Sequence, residues 1–299
     1  MNDRIHFADS RPEEQRAARA IATMLDFVVD TSEDVDRGRR WTEDSAYAGD
    51  QGICPYLPTG QAVHHLLMSA HGSLQAMARA LEYTRDAGPV PDMHLDLYGV
   101  HDLVRNALES GGWALWLASP FSARRRVTRT LVLTGIEQEN RAKARRARGA
   151  DEDEVQSLRQ AQRNRMDAYV RSSGLDSWPP KTGGPDDLLK DGKPTSTKVM
   201  RAAELYMPAG LPLGYWGAWC LASGLAHGQQ WAFHEINEIH DVDEGRMEAI
   251  VTPSYEALRK LLVAACSLFD TALARHRQLA TEANPDPTSQ RPIPSTWLA

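Results

Sequence analysis

Six of the ten histidines in the 299-residue chain stand in pairs seven apart: His64 and His71, His94 and His101, His227 and His234. Imidazole can ligate a metal, move a proton or simply bond to the backbone, so the spacing decides what these pairs can do. Seven residues are two helical turns, roughly 10.5 Å of rise on nearly one face. Two such rings cannot share one metal ion. On the flank of an apolar helix they settle instead as half-buried groups bonded to loops, and that is the expectation for His64 and His71.

Two stripes of polar and aromatic residues carry more chemistry. His94, Tyr98, His101, Arg105, Glu109 and Trp116 follow one another at separations of three, four or seven, with Trp113 beside them. Arg105 and Glu109 are one turn apart, the separation at which a guanidinium and a carboxylate pair along a helix. Cys220, Ser223, His227, Trp231 and His234 form a similar stripe inside the most apolar stretch of the chain, close to Tyr215. A histidine buried there needs a partner, and Arg105, Glu109 or His101 across a helical bundle could supply it. His101, Arg105, Glu109, Trp113, Trp116, Tyr215, Ser223, His227 and Trp231 then read either as a structural polar network or as an aromatic-walled ligand pocket.

Sharper signatures are missing. No ExxH stands on a helix, which argues against a di-iron site, and HExxH, GxSxG, GxGxxG and the P-loop are absent. Asp186, Asp187 and Asp191 have a DDxxxD spacing but sit in a Pro/Gly-rich stretch. No metal or cofactor is implied. A basic run, Arg124, Arg125, Arg126 and Arg129, continues into Arg141–Arg148 and could meet RNA or another polyanion. The acids Asp151–Glu154 offset it and no aromatics interleave, so it reads equally as a solvated helix face.

Helices must position all of these groups. Apolar residues at helical spacing predict a helix over about Arg11–Val29, opened by a capping box at Ser10 and Glu13, and another from Thr59, with Val63 to Leu81 on one arc and Gly88-Pro89 ending the run. Thr31–Pro58 reads as a long ordered loop. A third helix carries Leu97, Val100, Val104, Leu108 and Leu115, with Gly111-Gly112 allowing a neighbour close approach. From Pro120 an Arg-rich helix ends at Arg148-Gly149, and the next opens on Asp151–Glu154, so the basic end and the acidic start suit the two dipoles of an antiparallel hairpin, the alternative being a single bent helix with a solvated charged middle. After the stretch 172–194, Thr195 or Ser196 caps a short helix. Leu213–Ile239 reads as the central helix of a bundle, and Thr252-Pro253 precedes another carrying Leu258, Leu261, Leu262, Ala265, Leu268, Phe269 and Ala272. The expected fold is all-α, a bundle of about seven to eight helices. Residues 1–283 form one domain with a candidate boundary at 172–194, and residues 284–299 a disordered tail.

Composition limits the partners. Thirty-four Lys+Arg against forty Asp+Glu give a net charge of −6, which does not suit a chain that neutralises phosphate along its whole surface. The cysteines at 54, 220 and 266 are few, separated and without a CxxC, so neither a disulfide framework nor a cysteine-rich zinc site is expected. The longest apolar stretch, Leu213–Ala226, is too short for a bilayer span. A cytoplasmic protein without a membrane segment follows as the expectation.

The stretch Arg105–Pro120 with the Arg-rich helix after it, together with Tyr215 and Ser223–Gly228, resembles bacterial helical proteins grouped near the HEPN superfamily and its AbiV-like relatives. The active ribonucleases of that superfamily carry an Arg followed four to six residues later by a His at a dimer interface. None of the ten histidines here has an Arg five to seven positions before it. The resemblance therefore implies a non-catalytic helical-bundle protein, defence- or stress-associated, that acts by homo-oligomer formation or with a protein partner. Arg105, Glu109 and His227 would then be a packing or pocket network. The alternatives are an enzyme or small-molecule binder with its pocket between the helices of Arg105/Glu109 and His227, and a nucleic-acid binder using the basic helix.

Overall fold

The computed structural model describes residues 11–38, 40–85, 93, 95, 99–174, 194–241, 249–285 and 292–298, with the backbone alone at 238–241 and 249–252. Ser10 of the capping box, His94, Tyr98 and the three aspartates at 186–191 lie outside these residues. The fold is all-α. Its long helices are α1 (Pro12–Asp30), α4 (Thr59–Ala80), α5 (His101–Ala118), α6 (Ala123–Ala147), α7 (Glu152–Ser172) and α11 (Tyr255–Thr281). Between them lie the shorter α2 (Ser32–Arg37), α3 (Ala46–Ile53), α8 (Ser196–Glu204), α9 (Gly214–Ala226) and α10 (Gln230–Ile236), and α12 (Ser295–Leu298) follows α11.

The core is built around α5. All nine residues from Ser110 to Ala118 are buried, because α4 and α11 cover one side of the helix and α8 and α9 the other. The two adjacent glycines make this possible. A Cβ on Gly111 would stand 3.0 Å from Leu268 Cδ2 on α11, and one on Gly112 would overlap the Tyr215 hydroxyl and lie 2.5 Å from Met200 Cε. The pair thus serves two neighbours on opposite sides. Met200 can swing away, but Tyr215 is pinned by the hydrogen bond its hydroxyl donates to Leu108 O at 2.7 Å. Gly112→Ala should cost about 1–3 kcal/mol by overpacking, read as a lower urea midpoint with an unchanged slope, whereas Gly72→Ala, where a Cβ meets nothing, should be neutral or stabilising.

Helix ends follow their sequence signals. Asp151 accepts from the backbone N–H groups of Asp153 and Glu154, Thr195 from Lys198, and Ser254 from Ala257. Gly149 takes φ +80° after α6, as a left-handed helix stop requires.

Three expectations need correction. Thr31–Pro58 is not a continuous loop, because it holds α2 and α3. Leu213–Ile239 is not one helix either: the chain leaves α9 through Gly228 at φ +63°, and α10 folds back so tightly that a Cβ on Gly224 would lie 2.7 Å from Ala232 Cβ. The segment then ends in β1 (Asn237–Asp241), which pairs antiparallel with β2 (Ala249–Pro253) in a two-stranded ribbon. The small residues therefore build a helical hairpin rather than a central helix. Lastly, within the stretch expected to be disordered, residues 292–298 hold an anchor: Trp297 is buried, its ring packs edge-to-face on Phe27 at 5.1 Å, and its carbonyl accepts from Arg259 at 3.0 Å.

Candidate functional site

The residues expected to form one polar network separate into three places. His101 is buried in the first turn of α5. One and two turns further on, Arg105 and Glu109 pair at 3.6 Å in a half-buried position, and Glu109 Oε1 also accepts from Ser196 Oγ at 2.5 Å, tying α5 to α8. Tyr215 is fully buried beside them, with its hydroxyl pKa pushed up first by burial and then by the Glu109 and Glu204 carboxylates. Trp116 lies deeper. Its ring meets Trp113 edge-on at 5.4 Å and the Arg129 guanidinium at 4.8 Å. The remaining members do not join them: His227 is the exposed C-cap of α9, Ser223 is half-buried on α9, and Trp231 is half-exposed on α10, where its indole donates to Gln229. His227 as a buried partner of Arg105 or Glu109 is therefore corrected, because the break at Gly228 carries it to the surface.

Half of the basic run is likewise structural. Arg126 is buried and grips Asp50 through two hydrogen bonds, Nη2 to Oδ1 at 2.6 Å and Nε to Oδ2 at 2.9 Å, while Nη1 donates to the Pro120 and Phe121 carbonyls. Burial pushes the Asp50 carboxyl up from its ordinary range, and the guanidinium opposes that shift. Arg129 is buried too and donates to Trp116 O at 2.5 Å. Neither can meet a polyanion. Arg124 is exposed and reaches Gly174 O, and Arg125 is half-exposed.

A polar cluster that spacing does not reveal lies near Asp50. His276 is fully buried; its Nε2 donates to Gly38 O at 2.7 Å, which leaves Nδ1 to accept the Tyr47 hydroxyl at 2.8 Å. His64 stacks on its ring at 5.9 Å. The pairs 38–276 and 47–276 are too distant in sequence to leave a periodic signal. Among the described residues, no group of three or more His, Cys, Asp or Glu is placed to hold a metal ion.

A cavity of about 520 Å³ lies between α1, α10 and α11, and several of its charged groups are engaged with neighbours in its wall. Glu14 accepts from Ser254 and Tyr255, Glu256 from Arg259, and Arg11 faces Glu13.

The remaining chemistry is on the arm formed by α6 and α7. Val127, Leu131, Met166 and Val170 fix its root with Cys54 in a small apolar cluster of their own. Ile136 is the α6 side chain furthest along the helix that still packs against the main core. The eleven residues from Glu137 to Ala147 carry α6 roughly 16 Å further, and Ala142 with Val155 of α7 supplies the buried side chains there. Residues 140–148 hold Arg141, Lys143, Arg145, Arg146 and Arg148, residues 155–166 hold Arg159, Arg163 and Arg165, and neither run contains an acid. The acids flank these runs, Glu137 and Glu139 before the first, Asp151 to Glu154 at the tip and Asp167 after the second. Hydrogen bonds from Arg146 and Gln156 hold the Glu152 carboxyl down at about 2, and Arg145 faces Glu154 at 3.7 Å. A groove of about 230 Å³ runs between the two helices, with Arg141, Arg145, Arg159 and Arg165 among its lining side chains.

Comparison of the chain with protein-family models, with curated proteins and with solved structures gives no match. Among the described residues, no helix is long and apolar enough to cross a membrane.

Proposed function

We propose that this chain works by association, as a helical-bundle interaction protein whose docking element is the α6–α7 arm and whose partner is anionic. The carrying observation is the arm itself: two long antiparallel helices that carry eight basic residues and no acid over residues 140–148 and 155–166, in a chain whose net charge is −6. A surface so opposed to the charge of its own chain costs self-repulsion unless an anionic surface meets it, and it raises the rate of encounter with one. The absence of the HEPN Arg–His spacing points the same way. Homo-oligomer formation through the groove is disfavoured, because two copies would bring their arginine rims together.

Retention on immobilised heparin tests the docking element with a simple polyanion. The chain should elute at a salt concentration that falls sharply when Arg141, Arg145, Arg159 and Arg165 are all changed to Glu, with the far-ultraviolet circular dichroism unchanged. Equal elution of the two proteins would remove the arm as the docking element.

A further inference from the structure

The groove on the arm has two kinds of wall, and together they select a partner. Its floor is Ala142, Val155, Leu158 and Ala161, small apolar side chains at helical spacing, with Leu158 36% exposed. Its rim is Arg141, Arg145, Arg159 and Arg165, with Gln138 and Gln162 between them. Ala142 and Val155 are already buried between the two helices, whereas Leu158 and Ala161 stay open to water. A third helix laid along the groove would cover these two, as an amphipathic helix does in a hydrophobic groove.

Resting on the arm reading above, we propose that the groove receives an amphipathic helix of a partner protein, with an apolar stripe toward the floor and Asp or Glu along both flanks, completing a three-helix bundle. The flanks follow from the rim. Arg141 and Arg165 form no salt bridge with another described residue, Arg159 acts on the Glu152 carboxylate, and the acids of the tip are otherwise held by Arg145 and Arg146. An incoming carboxylate therefore does not have to displace an internal one at Arg141 or Arg165. A single-stranded nucleic acid fits less well, since the groove offers no aromatic side chain on which a base could stack, and its apolar floor would face phosphates.

The test uses the full chain and a fluorescein-labelled synthetic peptide of three heptads, with Leu at a and d and Glu at e and g. Glutamates at both flanking positions keep such a peptide from pairing with itself near neutral pH. Anisotropy should show saturable binding, the peptide should gain helicity, and affinity should fall about tenfold for Arg159→Glu/Arg165→Glu and clearly for Leu158→Ser. Two controls separate the outcomes: a scrambled peptide of the same composition, and oligouridylate. If the scrambled peptide binds equally well, charge alone is being read and the helix proposal falls. Tighter binding of oligouridylate than of the peptide also overturns it, in favour of a nucleic acid. No binding of the amphipathic peptide overturns it outright, and heparin retention then shows separately whether the arm reading stands.

Discussion

Arg126→Leu should lower the stability of the folded chain by about 3–5 kcal/mol, because it strands the Asp50 carboxylate in the interior. The pair is 3% and 1% exposed at its side chains, and the guanidinium spends its remaining donors on the Pro120 and Phe121 carbonyls. An exposed pair would be worth about 0–1 kcal/mol. Here removal of one partner leaves a charge and two backbone acceptors without their donor, in a place water does not reach. Asp50→Leu should be costly for the complementary reason. Combined, Asp50→Leu/Arg126→Leu should lose much less than the two single losses together, since no unpaired charge remains. Urea unfolding of the four proteins measures the cycle. A loss below about 1 kcal/mol for Arg126→Leu would mean that the site is hydrated and the pair behaves as a surface pair. Because Arg126 lies in the second turn of α6, the same substitution should also loosen the root of the arm.

Acid should destabilise the protein through His276, by on the order of 3 kcal/mol between about pH 6.5 and pH 4. Burial holds the imidazole pKa down at about 4, against an ordinary 6.5, and the Gly38 carbonyl only partly offsets that. His64 stacked on one side and Arg277 nearby lower it further. The sign follows from proton binding. Between the two values the unfolded chain takes up a proton at this position and the folded chain does not, so the contribution is present above about 6.5 and is lost as pH falls toward 4. His71 works in the same direction, since burial lowers its pKa as well. His276→Gln should start from lower stability but show a shallower loss between pH 6.5 and 4. Thermal melts of both proteins across that interval decide it. Identical slopes would show that His276 is protonated within the fold or that water enters beside it.

Much of the scaffold could be read from local pattern. The apolar stripes of α1, α4 and α11, the basic end of α6 meeting the acidic start of α7, and Gly149 all act over a few residues, so the sequence displays them directly. The break after α9 was also written there: His227-Gly228-Gln229 is a helix stop, but the continuous apolarity on both sides outweighed a single glycine. What spacing cannot display is a contact between distant segments. Asp50 meets Arg126 across 76 positions and Tyr47 meets His276 across 229. Each of these residues, taken alone, looks like an ordinary polar side chain. The Arg105–Glu109 pair was legible because it is local. The partner Ser196, 87 residues away, was not. The arm groove shows both cases at once, since Arg141 and Arg145 stand in an evident basic run, whereas Arg159 and Arg165 join them only when the hairpin folds.

The central position of α11 also sets a timetable for the growing chain. Eighteen of its twenty-seven residues are buried, and it packs directly on α1, α4 and α5, yet it is made well over a hundred residues after α5 ends. At translation speeds of about 5–20 residues per second, the apolar faces of α1, α4 and α5 wait on the order of ten seconds for the helix that covers them. During that interval the nascent chain offers the sticky surface that chaperones bind. Synonymous codon changes that slow synthesis between positions 118 and 255 should lengthen the wait and raise the fraction that aggregates before release, without altering any contact in the finished fold.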